Sequence, residues 1–116
     1  MLIVQKFGGS SIADGDRLRR AAGICMRQRQ NGNEVVVVVS AMGDTTDLLA
    51  DRARVLGGKP SPREMDALIT TGEQQSAALL VMTMESLGIP AVSLAGWQAG
   101  IYTDCRYGDS DIRLIA

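Results

Sequence analysis

Not one of the 116 residues is a histidine, and only two are cysteines, three prolines and one a tryptophan. Without histidine the chain can build neither a Ser-His-Asp triad nor a Cys-His nucleophile. Cys25 and Cys105 stand in no metal-ligand spacing, so a zinc site is excluded as well. Two cysteines this far apart fit reduced thiols in a cytoplasmic protein. No apolar run approaches the ~20 residues that cross a bilayer, and no basic segment precedes an apolar one at the N-terminus. Twelve Lys and Arg stand against thirteen Asp and Glu, without a basic run, so neither nucleic acid nor a membrane surface is expected as a partner. Any chemistry falls to lysine, carboxylates, hydroxyls and backbone. The 46% apolar content suits a single core.

What is present begins with Gln5-Lys6-Phe7-Gly8-Gly9-Ser10-Ser11, which joins the apolar run Leu2-Ile3-Val4 to a helical pattern starting near Asp14. Two adjacent glycines leave no Cβ between backbone and ligand, so successive N–H groups and the following helix N-terminus can face an anion, with Lys6 adding a full charge. A tight strand-to-helix turn accounts for the same residues without a ligand. Leu18, Ala21, Ala22 and Cys25 recur at helical spacing, which predicts an amphipathic helix from about 14 to 30 with its arginines in solvent and Cys25 in the core. Asn31-Gly32-Asn33 ends it.

Val35 to Val39 is β-branched throughout and reads as a strand buried on both faces, as in a parallel sheet between helices. Strand, helix, strand is a βαβ unit, whose right-handed crossover brings Ser10 and Ser40 to one C-terminal sheet edge, where open α/β sheets bind ligands. Ser40-Ala41-Met42-Gly43-Asp44-Thr45-Thr46-Asp47 leads on into a helix carrying Leu49, Ala53 and Leu56, with Thr45 or Thr46 as its N-cap or a ligand group. Gly57 to Pro62 makes a loop. Helical spacing resumes at Arg63, is expected to break at Thr70-Thr71-Gly72-Glu73, and continues to Gly88; Glu73 then suits either a first helical turn or a substrate contact. Met65, Met82 and Met84 read as core filler. Pro90 to Leu94 is expected as a short buried strand, Gly96 to Thr103 as a hairpin arm with Trp97 packed, and Ile112 to Ala116 as a strand. An apolar strand at the terminus predicts further sequence, or a covering partner chain.

Four motifs in this order and spacing, Lys6-Phe7-Gly8-Gly9-Ser10-Ser11, Ser40-Ala41-Met42-Gly43-Asp44-Thr45-Thr46-Asp47, Arg63-Glu64-Met65-Asp66-Ala67-Leu68 and Thr70-Thr71-Gly72-Glu73-Gln74, resemble the aspartokinases. Gly96-Trp97-Gln98-Ala99-Gly100 and Asp111-Ile112-Arg113 continue the likeness. The resemblance implies a three-layer α/β/α fold with a mainly parallel sheet, residues 1–116 being the N-terminal portion of an amino-acid kinase catalytic domain, incomplete and without the regulatory ACT domains. It implies Mg²⁺-dependent transfer of the ATP γ-phosphoryl group to the side-chain carboxylate of L-aspartate, which opens lysine, threonine and methionine biosynthesis. By the same likeness Lys6 is catalytic, Lys6, Phe7, Gly8, Gly9 and Ser10 hold the nucleotide phosphates, and Ser40, Thr46 and Glu73 serve aspartate, with no metal ligand among them. Phe7 and Ser10 stand where family members often carry tyrosine and glycine-threonine. A homo-oligomer or association with a longer chain is the expected assembly. The competing expectations are a non-catalytic α/β subunit, and a related kinase acting on glutamate, against which Thr-Thr-Gly-Glu speaks.

Overall fold

A computed structural model describes residues 1–116. Its elements run β1 Leu2–Phe7, a 3-10 turn Gly9–Ile12, α1 Gly15–Gln30, β2 Glu34–Val39, α2 Thr45–Arg54, α3 Pro62–Ser86, β3 Ile101–Thr103 and β4 Ile112–Ile115. β1 and β2 pair in parallel from Leu2↔Glu34 to Phe7↔Val39, with α1 as the crossover. The α/β class with a parallel sheet is therefore as the sequence leads one to expect.

Local chemistry sets the helix ends. Asp14 caps α1 by accepting the Arg17 N–H at 2.8 Å, and Gly32 leaves the other end at φ +84°, a conformation open to glycine. Ser61 caps α3 through the Glu64 N–H, Pro62 fills its first turn, and Gly88 closes it at φ +77°. α1 and α3 pack on one face of the sheet, where Ile12, Leu18, Ala21, Ala22, Cys25, Leu80 and Met84 form the core against Phe7, Val35, Val37 and Val39. Burial pushes the Cys25 thiol up from its ordinary pKa, so it acts as an inert apolar group.

The structure corrects several expectations. β2 is covered on one face only: strand alternation turns Val36 and Val38 away from the helices, and they remain 48% and 45% exposed beside Leu2 and Val4 of β1. This chain thus builds two of the three expected layers. α3 does not break at Thr70 to Glu73 but runs through it as one 25-residue helix. Gly72 is buried there, and a Cβ on it would lie 3.1 Å from the Ala41 Cβ and 3.4 Å from the Thr45 Cγ2, so the glycine serves close packing of helix on loop. The residue before α2 is Asp44, which makes no side-chain cap bond, and neither Thr45 nor Thr46 is the N-cap. Leu56 and Met82 point outward rather than into the core. Pro90 to Leu94 forms no strand, because no strand of the chain lies beside it to take its hydrogen bonds. Trp97 sits in a turn, 69% exposed, and does not pack.

Gly96 to Thr103 does supply a hairpin arm, and its partner is the terminal strand, whose pairing the sequence does not specify: β3 and β4 pair antiparallel from Ile101↔Ile115 to Thr103↔Ile112 with a bulge. The hairpin's connecting loop is tied to α3 by the Gly108 N–H, which donates to Asp66 at 2.7 Å. Within the loop the Arg106 N–H, first of all, and the guanidinium groups of Arg106 and Arg113 hold the Asp104 carboxyl below the usual carboxylate range. A lowered folded pKa means that this contribution to stability is present above the unfolded value of about 3.9 and is lost as pH falls through the folded one. Amide resonances of Arg106 and Asp111 should accordingly hold their native positions to about pH 4 and drift toward random-coil values below it. A loop whose resonances are unchanged at the acid end of the titration would contradict this.

Candidate functional site

The two parallel strands end side by side, and their loops close on one another. The Ser40 N–H donates to the Phe7 carbonyl at 3.3 Å, and the Gly43 N–H donates to the Gly9 carbonyl at 2.9 Å. Gly9 has no room for a side chain, since a Cβ there would lie 2.4 Å from the Ala41 carbonyl oxygen. Gly8 is the opposite case. No atom stands within 4 Å of where its Cβ would be, so the backbone there is bare toward solvent. The second loop in turn rests on α3, through Ala41 and Thr45 against Gly72.

These contacts gather most of the residues that the sequence singles out. Gly8, Gly9 and Ser10 form the first loop and its 3-10 turn, partly buried Ser40 opens the second, Thr46 is the exposed second residue of α2, and partly buried Glu73 follows Gly72 on α3. Thr46 and Glu73 therefore lie within helices and not on loops. Strand alternation separates the first pair. Phe7 packs on the helix side against the core, so only its backbone belongs to the loop edge, while Lys6 leaves β1 on the uncovered face.

Arg17 is the residue that sequence reasoning missed. On its helix it looked like part of a solvated face, yet its Nη1 donates to the Ser10 carbonyl at 2.8 Å while its Nε lies 3.7 Å from Asp14. Only its place one turn into a helix capped by Asp14 hinted at this. Arg17 and Arg20 line an open cleft of about 430 Å³ behind the turn, with Phe7, Ser10, Ser11 and Ile24.

Chemically the edge offers backbone donors, one lysine, hydroxyls and carboxylates, Asp44 and Asp47 among them. The chain has no group of three or more Asp, Glu, Cys or His side chains placed to hold a metal ion, so its own residues form no Mg²⁺ cage.

A model of the amino acid kinase family matches residues 1–115. The chain is 54% identical to the aspartokinase of Mycolicibacterium smegmatis over 96% of its own length, and 51% identical to that of Geobacillus stearothermophilus over 98%. It spans 26% and 28% of those two relatives, so about a quarter of the curated proteins it matches. Among solved structures it superposes on aspartate kinase from Synechocystis with a TM-score of 0.83 at 50% identity, over 87% of this chain and 17% of that one. Aspartokinase III of E. coli, solved with lysine and aspartate, matches with the same TM-score, 0.83, at 22% identity over 97% of this chain and 35% of its own, a likeness of fold.

Proposed function

The chain belongs to the amino acid kinase family, and from that premise we propose that it supplies the phosphate turn and the aspartate side of an aspartokinase, as the N-terminal part of its catalytic domain. The reaction is transfer of the ATP γ-phosphoryl group to the side-chain carboxylate of L-aspartate, giving 4-phospho-L-aspartate. The observation that carries this reading is the closure of the Gly8-Gly9 turn on the Ser40–Gly43 loop at one parallel sheet edge, with Gly72 of α3 packed against Ala41 of that loop.

A carboxylate and a triphosphate are both anions, and the transferred group is loosely bonded in transit, so catalysis here is positioning plus positive charge. Lys6 and the N–H groups of Gly8, Gly9 and Ser10 provide that charge toward the phosphates. Ser40 and Thr46 donate to the α-carboxylate of aspartate, and Glu73 accepts from its ammonium group. No protein nucleophile is required, which suits a chain without histidine. Mg²⁺ would be held mainly by phosphate oxygens and water and would supply positive charge there, with no residue of this chain assigned to it. The lysine, threonine and methionine pathway, the cytoplasm and an oligomeric enzyme are part of the same reading.

The test is a chimera in which these 116 residues replace the matching segment of a full-length aspartokinase, followed by ADP release with aspartate or glutamate as acceptor. Aspartate-dependent release is expected, with glutamate inert; the reverse preference would make it a different acid kinase, and no release with either would overturn the reading. The 116-residue chain by itself should show no turnover, since only one face of its sheet is covered and the charges present form part of a set that acts together. In the chimera Glu73→Gln should raise KM for aspartate by roughly tenfold, the loss of one hydrogen bond to a charged group, with KM for ATP nearly unchanged. An equal rise in both would make Glu73 a structural residue of α3.

A further inference from the structure

The 3-10 turn that follows β1 starts without any capping side chain, Gly8 standing at its head. Four successive carbonyls are nevertheless held by donors of the protein: Phe7 by the Ser40 N–H at 3.3 Å, Gly8 by the Ser11 N–H at 3.0 Å, Gly9 by the Gly43 N–H at 2.9 Å and Ser10 by Arg17 Nη1 at 2.8 Å. All peptide bonds in the chain are trans. In a planar trans peptide the N–H of a residue points opposite to the carbonyl before it, so holding carbonyls 7 to 9 inward directs the N–H groups of Gly8, Gly9 and Ser10 outward. The first three donors are backbone groups whose places follow from the fold. The fourth is a side chain.

Arg17 is itself oriented at both ends. Its N–H donates to Asp14 at 2.8 Å, its Nε lies 3.7 Å from the other carboxylate oxygen of Asp14, and the guanidinium then reaches back seven residues to Ser10. The Ser10 carbonyl shares a peptide plane with the Ser11 N–H, the donor that holds the Gly8 carbonyl, so Arg17 fixes one edge of that plane and the Gly8 bond the other; without Arg17 a single hydrogen bond is left to hold it. If that plane loosens, the Gly8 carbonyl loses its donor, and the Gly8–Gly9 peptide can turn to present a carbonyl oxygen where an anion needs the Gly9 N–H.

We propose that Arg17 is a positioning residue of the phosphate turn, fixing the Ser10 carbonyl so that the turn's N–H groups stay directed at the ligand. The inference rests on reading Gly8-Gly9 as the phosphate site. Arg17 acts through the backbone and does not touch phosphate.

The experiment uses the 116-residue chain with inorganic tripolyphosphate as probe, followed by amide NMR, with thermal melts alongside. Wild type should shift the Gly8, Gly9 and Ser10 resonances on titration. Arg17→Ala should weaken tripolyphosphate by roughly tenfold or more, the usual worth of one hydrogen bond that involves an ionised group. Before any ligand is added it should also broaden or split the resonances of Gly9 to Ser11, leaving those of α1 beyond Ala21 in place. Arg17→Lys, whose single ammonium keeps a donor but not the fork that also faces Asp14, should recover part of the lost affinity. If wild type binds and Arg17→Ala binds equally well with unchanged Gly9 to Ser11 signals, the positioning role is overturned and the phosphate site stands. If wild type itself shows no shifts at Gly8 to Ser10, the phosphate site falls, and this role with it. A lowered melting temperature in both variants, with affinity lost in proportion, would assign Arg17 to helix stability instead.

Discussion

Alanine at position 6 should lower turnover of the chimera by roughly 10²–10³, the loss that follows removal of one preorganised charge or donor facing charge that develops in the transition state. Lys6 is the last residue but one of β1, on the uncovered side of the sheet and two residues before the bare Gly8. Nothing else within that loop carries a full positive charge toward the open face, since Arg17 is committed to Ser10 on the helix side. The loss should fall on kcat more than on KM for ATP, because the charge counts most where the γ-phosphoryl group is in transit. The melting temperature should stay put, as an exposed lysine packs against little. Turnover within a factor of two of wild type would take Lys6 out of the reaction.

Gly9→Ala should unfold or strongly destabilise the chain, whereas Gly8→Ala should leave its stability intact. A methyl at position 9 would stand 2.4 Å from the Ala41 carbonyl oxygen, which is backbone and cannot swing aside. Either the two loops separate and the Gly43 N–H loses the Gly9 carbonyl, or the strand ends shift together. Overpacking of this kind costs about 1–3 kcal/mol, and an orphaned hydrogen-bond partner adds about 1 kcal/mol. For a domain of this size each kcal/mol lowers the melting temperature by roughly 4–8 °C. At Gly8 the backbone is extended, φ −72°, and a methyl meets nothing, so the fold accepts it. The same methyl would stand in the path of a phosphate, so in the chimera KM for ATP should rise although the melt does not move. Two neighbouring glycines are thus required for different reasons, and equal melts for both variants would refute the contrast.

The sequence revealed what depends on near neighbours. The α1 bounds followed from Asp14 and the glycine of Asn31-Gly32-Asn33, and the pairing of the first two strands from one βαβ pattern with a valine run. It concealed what depends on distant ones. Gly72 resembles a helix break because glycine is a poor helix former; its actual role, letting α3 approach Ala41, appears only when the loop is in place. Val36 and Val38 look buried in any valine run, and how much of a strand is covered depends on layers elsewhere. Pro90 to Leu94 has strand composition but no neighbouring strand, and a ladder cannot form alone. The candidate site divides in the same way. Loop residues Gly8, Gly9 and Ser40 were readable from turn chemistry, the split of Lys6 and Phe7 to opposite faces followed from strand alternation once β1 was known, and the bond from Arg17 to Ser10 spans seven residues with no local signature.

Mechanically, the unbroken α3 is a single rod with two loads on it. Near one end Asp66 holds the hairpin loop at Gly108, and two turns further on Gly72 bears against Ala41 with Glu73 beside it. Seven residues of helix span about 10 Å at 1.5 Å each, and no proline interrupts them. A joint at Thr70 to Glu73 would have let the hairpin swing without consequence. With a rigid rod, a tilt imposed at the hairpin end arrives at the loop that carries Ser40 and Gly43 as a change of pressure on Ala41, so the two distant parts of the chain cannot move independently.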